Sequence, residues 1–62
     1  MPLIQVKVAG SLTKEQKQAI TKSFCKTLQE VADKNPESTY IIFEEVSREN
    51  WAVGNNLLSE KN

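Results

Sequence analysis

Proline stands second in this chain of 62 residues, directly behind Met1. Methionine before a small residue, proline included, is commonly removed after synthesis. Pro2 would then carry a free secondary amine, rigidly held by its ring and able to act as base or nucleophile. An α-amino group has a reference pKa of about 7.7–8.0, and a secondary amine tends to sit higher. Desolvation or a nearby cation lowers the value. A neutral amine near pH 7 is what proton abstraction next to a carbonyl requires. The rest of the inventory narrows the chemistry. There is no histidine, so the usual side-chain base near neutrality is missing. A Ser-His-Asp or Cys-His mechanism is thereby excluded within the chain. Cys25 is the only cysteine; it falls on or beside the apolar stripe of a helix and reads as a buried, inert thiol. One cysteine with scattered carboxylates has no metal-ligand spacing, so no metal is expected.

Charge and length bound the class. Eight Lys plus Arg balance eight Asp plus Glu, which argues against a nucleic-acid module with its basic face. Lys14, Lys17, Lys22 and Lys26 cluster in one segment and read as a solvated helix surface. No apolar run approaches the roughly 20 residues of a membrane span. Residues 1–8 carry no basic leader region, and a lone cysteine fits a reducing compartment. The expected location is the cytoplasm. The chain is expected to form one domain over residues 1–62, and a marginal one.

The elements that must position Pro2 follow from periodicity. In residues 2–8, Ile4, Val6 and Val8 share one face while Leu3, Gln5 and Lys7 share the other, which predicts a strand beginning at the proline. Thr13 with Gln16 three residues on has the capping-box pattern. It opens a helix predicted to run to about Lys34, with Ile20, Phe24, Leu28 and Val31 as an apolar stripe that Cys25 and Ala32 widen. Asn35 followed by Pro36 reads as the stop, with Asn35 as a left-handed cap. Residues 39–46 form a second strand. Ile41, Phe43 and Glu45 share one face; Tyr40, Ile42, Glu44 and Val46 share the other. Glu44 and Glu45 therefore point apart and read as edge or interface charges rather than a paired carboxylate site. Ser47 to Asn50 form a polar turn, Trp51 to Gly54 a short strand or hairpin, and Asn55 and Asn56 its turn. The residues from Ser59 are expected to fray.

Strand, long helix and strand make a β-α-β unit with parallel strands and a right-handed crossover. One helix covers one face of a two-stranded sheet. The other face and both edges stay open, although parallel sheets are normally covered on both faces. With disulfides and metals set aside, association with further copies is the remaining source of a core. The expected fold is α/β (α+β): a β-α-β unit with parallel strands and a short C-terminal hairpin, assembled as an oligomer.

Pro2-Leu-Ile-Gln-Val-Lys-Val, then Thr13-Lys-Glu-Gln-Lys17, then Ile42-Phe-Glu-Glu-Val-Ser-Arg-Glu-Asn-Trp-Ala-Val-Gly54 resembles the 4-oxalocrotonate tautomerase family over about residues 2–58. The resemblance implies parallel β-α-β subunits assembled as a homo-oligomer, a dimer or more usually a hexamer built as a trimer of dimers. It implies catalysis without a cofactor, in which an N-terminal proline moves a proton between oxygen and carbon of small enol and keto acids. Pro2 matches that catalytic proline. Trp51 matches an aromatic that walls the site. The two arginines that hold substrate carboxylates in the best-known members are replaced here by Leu12 and Tyr40. Arg48, the only arginine, lies in the turn before Trp51, where it is either a solvated turn residue or a ligand for a substrate carboxylate, its own subunit's or a neighbour's. Tyr40 is either a half-buried strand residue or a hydrogen-bond donor to a developing enolate oxygen. These departures imply a smaller or more apolar monoacid, phenylenolpyruvate-like, rather than a dicarboxylate, and weaker activity. Val53 stands where hydratase and dehalogenase relatives carry a water-activating glutamate, which disfavours those reactions. Two other readings fit the same fold: a non-catalytic ligand-binding or scaffold oligomer, and decarboxylation or iminium chemistry with Pro2 as nucleophile.

Overall fold

The computed structural model describes residues 1–60. Strand β1 (Leu3–Ala9), helix α1 (Lys14–Ala32) and strand β2 (Tyr40–Val46) are followed by two short strands, β3 (Ala52–Val53) and β4 (Asn56–Leu57). One-turn 3-10 helices lie at Pro36–Ser38, Arg48–Asn50 and Leu58–Glu60. β1 and β2 pair in parallel, from Leu3 opposite Tyr40 to Ala9 opposite Val46. The parallel β-α-β unit and the C-terminal hairpin are thus both present as expected.

Alternation sets the two faces of the sheet. Ile4, Val6, Val8, Ile41 and Phe43 are half-buried, while Leu3, Gln5, Lys7, Tyr40, Ile42 and Glu44 are exposed. Glu45 identifies the inner face, because it shares Ile41's side of β2 and reaches Lys17 of α1. On the outer face Lys7 lies opposite Glu44, 3.8 Å apart, in a solvated ion pair worth at most about 1 kcal/mol.

The helix begins where its cap dictates. Gln16 N–H donates to Thr13 Oγ1 at 3.1 Å and Thr13 N–H donates to Gln16 Oε1 at 2.8 Å, a complete capping box. Thr13→Ala removes one half of it. It is expected to cost about 1 kcal/mol, read as a lower thermal midpoint at equal protein concentration.

The helix ends two residues earlier than its pattern suggests. The left-handed residue is Asp33 (φ 55, ψ 39), not Asn35. Its N–H bonds Gln29 O, and Lys34 N–H bonds Leu28 O at 3.2 Å. Proline biases the residue before it toward extended backbone, and Asn35 accordingly has φ −70 and ψ 126. Its side chain caps the next turn instead, accepting Glu37 N–H at 2.9 Å. Within the expected stripe, Ile20, Phe24, Cys25 and Leu28 are half-buried, whereas Ala32 is exposed and Val31 is 82% exposed. A helix of 19 residues spans about 28 Å, against about 23 Å for strands of seven. Its last turn therefore runs past the sheet.

The hairpin turn falls on Gly54 and Asn55, one residue before the expected pair, so Asn56 lies in β4. Gly54 takes φ +63 and Asn55 keeps a negative φ, the two-residue turn that wants glycine first. Ser59 and Glu60, expected to fray, belong to an ordered turn: Glu60 Oε1 accepts Leu57 N–H at 2.8 Å. The remainder of that expectation, Lys61 and Asn62, lies outside the described residues.

Among the described residues none is fully buried. The radius of gyration is 14.7 Å, against about 10.5 Å for a compact chain of this length. Leu3, Tyr40 and Ile42 on the outer face are 54%, 54% and 45% exposed. This is half of a core, with the other half to be supplied from outside the chain.

Candidate active site

Pro2 sits immediately before β1 and is half-buried, with Met1 85% exposed ahead of it. Its carbonyl accepts the backbone N–H of Tyr40 at 2.9 Å. That bond extends the parallel ladder by one step, so the ring is held at the open end of the sheet. Tyr40, the first residue of β2, lies beside it and opposite Leu3 in register.

The other candidates occupy the opposite end. Leu12 follows the last residue of β1, and Arg48 and Trp51 follow the last residue of β2. The intervening strand is about 23 Å long at roughly 3.3 Å per residue. The five residues from Ser47 to Trp51 include a 3-10 turn, which advances only about 2 Å per residue, and cannot bring Trp51 back over that distance. One chain therefore groups Pro2 with Tyr40, and separately Leu12 with Arg48 and Trp51. It does not bring the two groups together.

Each group is well tethered. Gly10 N–H bonds Val46 O at 2.8 Å, with Gly10 at φ +105, a conformation side chains resist. Leu12 N–H donates to Glu45 Oε2 at 2.9 Å, and Lys17 Nζ donates to Glu45 Oε1 at 2.9 Å. Arg48 Nη2 donates to Leu58 O at 2.9 Å, and Leu58 N–H returns to Trp51 O at 2.8 Å. Arg48 thus braces the segment that carries Trp51. Cys25 is half-buried on α1, away from both groups in sequence and element. Lys14, Lys17, Gln18, Thr21 and Lys22 border an open hollow of about 360 Å³ on one flank of the helix, with no candidate residue in it.

Glu45 is the residue whose importance the sequence reading understated. It lies apart from Glu44 on the outer face, as the alternation implies, and it is more than an edge charge because it binds Lys17 and Leu12. Its signal was present: it interrupts the apolar series Ile41, Phe43 on the inner face. Hydrogen bonds from the Lys17 ammonium and then from Leu12 N–H hold its carboxyl below the usual carboxylate range, against a smaller upward push from burial. The sign follows. A carboxyl that binds its proton more weakly when folded contributes stability above its unfolded pKa, about 4.3, and loses it as pH falls through the lower folded value. Thermal midpoints measured from about pH 5 down to pH 3 should fall less steeply for Glu45→Gln than for the parent chain. Equal slopes would show that Glu45 gains nothing from its partners.

Residues 2–61 match the family described as tautomerase enzyme. A probable tautomerase from Bacillus cereus is 33% identical over 61 residues, covering 98% of this chain and 100% of that one. The crystal structure of DmpI from Helicobacter pylori superposes with a TM-score of 0.86 at 27% identity, covering 95% of this chain and 92% of that one. A heterohexamer 4-oxalocrotonate tautomerase from Chloroflexus aurantiacus J-10-fl, 21% identical with 100% of each chain covered, gives the same TM-score of 0.86 and shares the fold. With a family match over nearly its whole length and a 33% identical relative, the chain belongs to the tautomerase enzyme family.

Proposed function

We propose that the chain is a cofactor-independent tautomerase of small 2-hydroxy-enoic and 2-keto acids, with the Pro2 nitrogen as its base once Met1 is removed. The observation that carries this reading is the anchoring of Pro2. A backbone bond from Tyr40 fixes its carbonyl at 2.9 Å while Met1 ahead of it is 85% exposed. In the enol-to-keto direction the neutral amine takes the hydroxyl proton. The oxygen electrons then form the carbonyl, and the carbon–carbon double-bond pair takes a proton at carbon from the resulting ammonium. Atoms and charge balance without a cofactor. Tyr40, adjacent to Pro2 in the ladder, supplies a hydrogen bond to the enolate oxygen.

Leu12, Trp51 and Arg48 complete the site from a second copy, since they lie a strand's length from Pro2 in their own chain. The unfilled outer face supports such an assembly, and the relative from Chloroflexus aurantiacus, by its description a heterohexamer, supports six subunits as its form. Leu12 and Tyr40 favour a monoacid with an apolar body, since neither offers a cation to a second carboxylate. The deciding experiment is ketonisation of phenylenolpyruvate by protein whose intact mass shows Met1 removed, beside Pro2→Ala. A fast parent and a slow variant support the reading; equal rates sink it. Borohydride reduction in the presence of a keto acid adds an arm: a stable adduct on Pro2 would favour iminium chemistry over proton transfer.

A further inference from the structure

We propose that Glu45 is a positioning residue for the substrate, holding the Gly10–Thr13 loop so that Leu12 forms a fixed wall of the site. This rests on the reading that Leu12 faces substrate bound at a neighbouring copy's Pro2.

The loop is pinned at both ends through its backbone N–H groups. Gly10 N–H bonds Val46 O, and Thr13 N–H bonds Gln16 Oε1 of the capping box. Leu12, between them, has its N–H bonded to a side chain remote in sequence, Glu45 Oε2 at 2.9 Å. The other carboxylate oxygen is held by Lys17 Nζ at 2.9 Å, which fixes the acceptor against the first turns of α1. The position invites an apolar residue instead. It continues Ile41 and Phe43 on the inner face and lies opposite Val8 in register. An apolar side chain there would serve the fold, but it would leave Leu12 N–H without its acceptor and free the loop to pivot between Gly10 and Thr13. The carboxylate at this register position thus fits a requirement of the loop rather than of the core.

Two variants at this position separate packing from hydrogen bonding. Glu45→Leu continues the apolar series and removes both bonds; Glu45→Gln keeps a carbonyl oxygen for Leu12 N–H and removes the charge. With Met1-removed protein and phenylenolpyruvate, Glu45→Leu is expected to raise KM about tenfold, the worth of one hydrogen bond of about 1.4 kcal/mol, with kcat changed less than about threefold. Amide exchange at Leu12 should quicken in parallel while the assembly's mass stays the same. Glu45→Gln should restore most of both. An unchanged KM with faster Leu12 exchange would overturn the proposal, because the loop would then move without consequence for substrate. So would a fall in kcat at constant KM, or a Glu45→Gln variant as impaired as Glu45→Leu, which would assign the effect to Lys17 pairing. A parent protein that fails to ketonise, or that is unaffected by Pro2→Ala, overturns the functional reading itself and is told apart by that control.

Discussion

Acylating the Pro2 nitrogen will abolish turnover, and replacing the ring will slow it. Two variants separate these effects. Protein that retains Met1 has an amide at Pro2, with no basic lone pair, and its rate should lose the whole contribution of the base. General bases contribute about 10²–10⁴-fold, so the loss should span that range. Pro2→Ala, once Met1 is removed, keeps a primary amine with a reference pKa near 7.7–8.0 at nearly the same place. It should lose about 100-fold, the lower end of that range, since what it lacks is the ring's rigidity and greater basicity. The ordering matters more than the size: retained Met1 must be worse than alanine. A Met1-retaining protein at the parent rate would remove Pro2 from the mechanism. The pH profile gives an independent reading. The chain has no histidine, so the rate should rise with pH through the amine's own titration. Leu12 and Tyr40 bring no cation to depress it, and Arg48 is engaged with Leu58 O, which leaves burial as the main lowering influence. An apparent pKa well below 7 would contradict that account.

Much of this architecture was legible because short-range rules act without competition in a small chain. Period-two alternation in β1 and β2 and the Thr13–Gln16 box each have one structural solution, and each is found. The misses have a common cause, which is that neighbours in sequence compete. Asn35 was eligible for a left-handed cap until Pro36 restricted it, and Asp33 took the role. Asn55 and Asn56 were eligible for the hairpin turn until Gly54 claimed its demanding position. The candidate residues can be named from the sequence but not placed by it. Sequence names Pro2, Tyr40, Leu12, Arg48 and Trp51, while strand length divides them between two ends. Arg48 reads in sequence as a carboxylate ligand, yet its contact with Leu58 O depends on how the C-terminal turn folds back, which no local pattern encodes. Glu45 was visible as a break in an apolar face. Its meaning needed the loop geometry that brings Leu12 N–H over it.

Placing an unpaired charge among the apolar residues of the sheet's outer face should dismantle the molecule. Ile42 lies there, 45% exposed and opposite Gln5 in register, with Leu3 and Tyr40 on the same face. The chain exposes 4951 Å², about 900 Å² more than a compact monomer of its mass would. That excess matches one partner's share of a standard protein interface. It is also where the missing core must come from, since no described residue is fully buried without it. In a two-fold interface each substitution enters twice, and an unpaired lysine in an apolar contact costs several kcal/mol. A chain of this length has at most a few kcal/mol in hand. Ile42→Lys is therefore expected to sediment as a smaller species and to lose most of its helical signal at micromolar concentration. It should also lose all turnover, because Leu12 and Trp51 of one copy would no longer meet Pro2 of another. The parent should show a thermal midpoint that rises with protein concentration, as for any fold linked to association. If Ile42→Lys kept the parent's mass and midpoint, the outer face would be solvent in the assembly. The two halves of the site would then have to meet across the edges of the sheet instead.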